Sequence, residues 1–164
     1  MGAGHQRYAW CSAREWGVLV AYVNPLPFIY RYVRDAAAAG VGEWPILSRI
    51  VWRTHGDVDD PMNELVCRVQ MTISRIHPSG PTFAATQIRA RLYMTGPDGD
   101  EVSDASDALV QAIEKAWRSG METSEGWATY IEWTQLPTPE TDMGTTADYI
   151  NMVSSLQVTA RKGA

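Results

Sequence analysis

The stretch THGDVDD, Thr54 to Asp60, sets one histidine and three aspartates within seven residues. Two kinds of chemistry use such a set. Carboxylates that converge on one point hold a hard divalent cation, and an aspartate at the end of a buried strand can serve phosphoryl transfer. The surrounding residues argue for neither. Gly56 and Pro61 flank the group, the preceding run ends in Arg53, and no calcium-loop spacing follows. His55, Asp57, Asp59 and Asp60 therefore read as a solvated acidic loop between strands, with a weak cation site as the alternative.

Other chemistry-bearing residues are more scattered. His5, His55 and His77 lie far apart and beside no cysteine pair, which does not suit zinc. No glycine-rich phosphate loop or nucleophile elbow occurs. Ser154 and Ser155 fall inside an apolar run and read as sheet residues. A second acidic group, Asp98, Asp100, Glu101, Asp104 and Asp107, is explained by turn chemistry and helix capping. The expectation is a chain with no catalytic residue, no metal and no cofactor.

The totals narrow the class. A chain of 164 residues supports one domain with a sizeable core. Hydrophobic residues make up 45% and charged residues 20%, which excludes the disordered class. A net charge of −5 argues against a nucleic-acid binder, whose phosphate contacts need clustered Lys and Arg. No apolar run is long enough to span a bilayer. The first residues lack the layout of a signal peptide, so a cytosolic origin and reduced, buried thiols at Cys11 and Cys67 are expected. Seven tryptophans are many for this length, which suggests an aromatic core or residues held for a partner.

The elements that must position these residues follow from periodicity. Residues 1–23 read as an N-terminal arm and a short lead element, in which Ser12 to Glu15 is a possible capping box before WGVLVAYV. The rest, 24–164, reads as one domain. NPLPFIYRYVRDAAAAG predicts a helix with Asn24 as cap, Pro25 in the first position and Gly40 just past the end. WPILSRIVWR predicts a strand with Ile46, Ser48, Ile50 and Trp52 on one side. NELVCRVQMTISRI and TFAATQIRARLYMT alternate around the turn PSGP and predict an antiparallel hairpin. Its core face carries Leu65, Cys67, Val69, Met71, Ile73, Ile88, Ala90, Leu92 and Met94, and its polar face Arg68, Gln70, Thr72, Arg89, Arg91 and Tyr93. SDASDALVQAIEKAWRSG predicts a second helix capped by Ser103 and closed by Gly120. Two further strands, GWATYIEWTQ and DYINMVSSLQVTAR, are joined by a long polar connector, Leu136 to Ala147. Together these predict an α+β domain: a largely antiparallel β-sheet with helices packed on one face.

The order of these segments resembles the tail terminator (minor tail) proteins of long-tailed bacteriophages, above all those of actinobacteriophages. The resemblance runs from NPLPFIYRYVRDAAAAG through the hairpin and RARLYMTGPDGDEVSDASDALVQAIEKAW to YINMVSSLQVTARKG, about Asn24 to Lys162. It implies a homohexameric ring at the head-tail junction of a virion assembled in the bacterial cytoplasm. Such a ring caps the tail tube protein, stops its polymerisation and meets the head-tail connector or stopper protein. DNA passes through the lumen without sequence-specific binding. On this reading Arg68, Arg89, Arg91, Tyr93, Arg161 and Lys162 are interface candidates, and Asp57, Asp59 and Asp60 candidates to line an acidic lumen. Two alternatives stay open: a head-completion or stopper protein of the neck, and a small-molecule-binding α+β domain with a pocket of Trp, Tyr and Met.

Overall fold

The computed structural model describes residues 24–54, 64–78, 84–120, 127–140 and 150–162. The arm and lead element (with Cys11 and His5), the acidic loop from His55 to Asp60, most of the PSGP turn and the connector beyond Glu140 lie outside them. The described elements are helix α1 (Leu26–Gly40), a 3-10 turn (Pro45–Arg49), strands β1 (Val51–Thr54), β2 (Val66–Pro78) and β3 (Ala84–Gly96), helix α2 (Gly99–Arg118), and strands β4 (Trp127–Glu140) and β5 (Ile150–Lys162). The strands form one sheet in the order β1-β2-β3-β5-β4. All neighbours pair antiparallel except β1 and β2, which run parallel. The helices cover one face, so the fold is α+β as expected.

Helix α1 forms because its apolar residues recur at helical spacing. Phe28, Ile29, Tyr32, Val33, Ala36 and Ala37 are all buried on one side. Asn24 accepts a hydrogen bond from the Leu26 N–H at 3.1 Å, while Pro25 occupies the cap position itself. Gly40 is the last helical residue rather than a closing residue beyond it. Its role is close approach: a Cβ there would sit 2.9 Å from Ala112 Cβ and 3.1 Å from Leu47 and Trp44. The missing side chain lets α1 cross α2 at that point.

The segment expected as one strand from Trp44 is split. Pro45 lacks an N–H to give a ladder, and a tight turn forms instead, with the Leu47 N–H donating to Trp44 O at 3.0 Å and Ser48 Oγ to Pro45 O at 2.8 Å. The buried residues are then Leu47 and Ile50, three apart, and not an alternating set. Only Val51–Thr54 is strand, held to β2 by the register Val51↔Val66 to Thr54↔Val69.

The hairpin β2–β3 pairs Val66 with Thr95 through to Pro78 with Ala84, with one bulge between Ile73 and Arg75. Its alternation is as read. Cys67, Ile88 and Ala90 are fully buried, and Leu92 and Met94 are 2% exposed. Helix α2 starts earlier than expected. Asp98 is the cap, its Oδ1 accepting from the Asp100 N–H at 2.9 Å and the Glu101 N–H at 3.4 Å, so Ser103 lies inside the helix. Gly120 closes it as expected, with φ of 72° in the left-handed region. The stripe Val102, Ala105, Ala108, Leu109, Ala112, Ile113 and Ala116 is buried against the sheet and α1.

Strand β4 runs on through Leu136, Pro137 and Pro139 to Glu140, into the segment expected as connector. Proline is admitted because β4 is an edge strand whose outer side needs no donors, and two register shifts, after Trp133 and after Gln135, absorb the misfit. Two tryptophans clamp β4 to α2. The Trp117 indole N–H donates to Thr129 O at 3.1 Å, and that of Trp133 to Glu114 Oε1 at 2.8 Å.

Two outcomes test this core. Leu109, 1% exposed, fills the space between α2 and its neighbours. Leu109→Ala is expected to lower stability by about 2–5 kcal/mol in denaturant unfolding, through lost transfer energy and the cavity left behind; an unchanged midpoint would show that the stripe faces no core. Cys67 is fully buried, and desolvation pushes its thiol up from 9.0 to about 12. It should resist thiol reagents in native buffer and react at once in denaturant. The sign of its pH effect follows. The unfolded chain releases this proton near pH 9 and the folded chain holds it to about 12, so stability from this group is complete below pH 9 and falls across that window. Cys67→Ala should show the shallower decline.

Candidate functional site: the sheet face opposite the helices

Because successive residues of a strand point to opposite sides, the side chains opposite the core form a largely polar surface, in which Val66 and Val153 are buried. Register aligns them in rows across the strands. Arg68 of β2 stands opposite Tyr93 of β3, Gln70 opposite Arg91, and Thr72 opposite Arg89. On the next strand Arg91 meets Ser155 and Arg89 meets Gln157. Glu132 of β4, paired with Gln157, ends that row. Arg89 and Arg91 are exposed, whereas Arg68, Gln70 and Tyr93 are half-buried.

A short polar network fixes the middle of this surface. The Tyr93 hydroxyl donates to Gln70 Oε1 at 3.2 Å, and Arg91 Nη1 approaches the same hydroxyl at 3.5 Å. The Arg91 head is therefore steered toward β2. Beside it a shallow depression of about 270 Å³ is lined by Gln70, Thr72, Ser74, Arg89 and Arg91. Two guanidinium groups over hydroxyl and amide neighbours suit carboxylate or another anion, since a guanidinium presents a planar fork of donors.

The fold thus brings together Arg68, Arg89, Arg91 and Tyr93, four of the residues singled out from sequence. Arg161 and Lys162 belong to the end of β5, where their backbones pair with Ala128 and Trp127 of β4. Arg161 also pairs with Ala85, four residues from Arg89 and so about 13 Å along β3. Their side chains lie outside the described residues, as do Asp57, Asp59 and Asp60. Members of the face missed in sequence include Ser155, Gln157 and Glu132. The signal was there, because in SSLQVTA polar residues alternate with Leu156, Val158 and Ala160. Ser154 and Ser155 are each 4% exposed inside β5 and are sheet residues, as read.

Elsewhere the surface offers less. A cleft of about 500 Å³ lies between α1 and the 3-10 turn, with Arg34, Asp35, Ser48 and Trp52 at its walls. Its described lining holds one tryptophan and neither tyrosine nor methionine, so it differs from the aromatic pocket that the small-molecule reading requires. Among the described residues no three His, Cys, Asp or Glu side chains gather closely enough to hold a metal ion, and no helix is long and apolar enough to cross a membrane.

Since Arg89 and Arg91 are exposed, neutralising both to Ala should change monomer stability by no more than about 0.5 kcal/mol each in thermal unfolding. A loss above about 2 kcal/mol for the pair would mean that this face is engaged within the subunit. No family model matches the chain, and no match is found among curated proteins.

Proposed function

We propose that this chain is a structural virion protein of the tail-terminator kind, with no active site. It caps the phage tail tube, stops tube polymerisation and joins the tail to the head-tail connector as a homohexameric ring. The observation that carries the reading is the two-sidedness of the domain. One sheet face packs against the helices, and the other carries Arg68, Arg89 and Arg91 among hydrogen-bonding side chains. A ring needs two different patches on each subunit, because head-to-tail contacts are heterologous. A capping ring needs further surfaces of different character above and below.

The resemblance in segment order supports the same reading, and it names the partners: further copies of this chain, the tail tube protein and the connector or stopper protein. Arg161 and Lys162, at the far end of β5, would serve contacts beyond the ring. Asp57, Asp59 and Asp60 would line a lumen through which DNA slides, since like charge keeps the polyanion from sticking.

The test is electron microscopy of lysates from a phage lacking this chain. Overlong tubes, or tails of any length without heads, are expected from a missing terminator. Tails of normal length that carry their own cap but no heads would instead assign the chain to the stopper. Normal tails on full heads would exclude both roles.

A further inference from the structure

We infer that the basic sheet face of one subunit receives the acidic outer side of α2 from a second copy of the chain. The inference rests on the ring reading and says which surfaces make the ring. Between Gly99 and Glu114, α2 contains no Lys or Arg. Its exposed residues there include Asp100, Asp104 and Asp107. At about 100° per residue these three fall within about 60° of arc, a narrow stripe on the side turned away from the sheet. Neighbouring carboxylates already have partners: Glu101 binds Arg49 at 2.5 Å, and Glu114 binds Arg118 at 3.2 Å. Asp100, Asp104 and Asp107 make no ion pair among the described residues, and neither do Arg89 and Arg91.

The spacings match. Arg89 and Arg91, two residues apart on a strand, are separated by about 6.8 Å. Asp100 and Asp104 are about 6 Å apart along the helix axis, and Asp104 and Asp107 about 4.5 Å. A helix laid along β3 can therefore offer a carboxylate to each guanidinium at once. Glu132 and Glu140 are the carboxylates at described strand positions of the receiving face, and both belong to β4, two strands away from Arg89. Among the described residues the two surfaces lie on opposite sides of the sheet and helix layers, and like charge keeps each from meeting its own image. The contact is then head-to-tail, and it gives a ring where the tilt between successive copies closes the circle. Each subunit carries a formal charge of −5, so general repulsion opposes association and the local match sets the register.

The experiment measures the mass of the full chain in solution across concentration, alone and on purified tail-tube ends. Three variants are compared with wild type: Arg89→Glu with Arg91→Glu, Asp104→Arg with Asp107→Arg, and all four together. Circular dichroism and melting verify that each folds; should a reversed pair fail to fold, the neutral pairs Arg89→Gln with Arg91→Gln and Asp104→Asn with Asp107→Asn replace it. Each reversed pair is expected to raise the concentration for half-assembly at least about tenfold, with more salt weakening wild-type assembly as well. The fourfold variant, complementary again, should recover most of the loss. Folded reversed or neutral pairs that form rings as wild type does, or a folded fourfold variant that fails to recover, would overturn this contact and leave the ring standing. Reversal at Arg89 and Arg91 that spares the ring but abolishes capture on tube ends would give the face to the tube protein. A wild-type chain monomeric under every condition would overturn the ring reading too.

Discussion

Alternation along β3 governs this molecule, because a strand cannot send neighbouring side chains to the same side. Ile88, Ala90, Leu92 and Met94 turn to the helices and are at most 2% exposed, while Arg89 and Arg91 turn the other way into solvent. As β3 lies in the middle of the sheet, its polarity sets that of β2 and β5 on either side. A slip of one residue in register would drive two guanidinium groups into the core, at a cost far beyond any local gain. The same constraint that seals the core therefore also builds the polar surface.

The helix layer follows from the sheet and from small residues. Two helices can lie close together over one face only if their crossing is thin, and Gly40 against Ala112 makes it so. Close crossing lets Leu109 and Ile113 reach the sheet, and Trp117 and Trp133 then tie α2 to β4 by hydrogen bonds. With its apolar stripe committed inward, α2 has its aspartates outward. Their placement is a by-product of packing, and it gives the domain two faces of opposite local charge.

Much of this was legible in the residues, and the failures share a cause. Strong periodicity exposed α1, α2 and the β2–β3 hairpin, and with the hairpin came Arg68, Arg89, Arg91 and Tyr93 as neighbours. What failed depended on partners distant in sequence or on a choice between equal local options. Asp98 and Ser103 can both cap a helix, and only the chain's approach from β3 selects Asp98. Pro137 and Pro139 read as loop, since nothing local tells that β4 is an edge where proline is harmless. The parallel pairing of β1 with β2 is a non-local event with no signature in WPILSRIVWR. Gly40 looked like a helix stop because Ala112, which it accommodates, is far along the chain. On the surface, Ser155 and Gln157 were missed because β5 was read as a strand without being resolved into faces.

The polar sheet face is proposed as a contact surface in the assembled particle, with Arg89 and Arg91 exposed upon it. Arginine-specific modification, read by mass spectrometry at Arg89 and Arg91, measures this contact directly. Both guanidinium groups should react readily in free subunits, as their exposure requires, and should be protected once the chain is built into rings or tails. Equal reactivity in the free and assembled states would contradict the claim, since a face that stays open to reagent holds no partner.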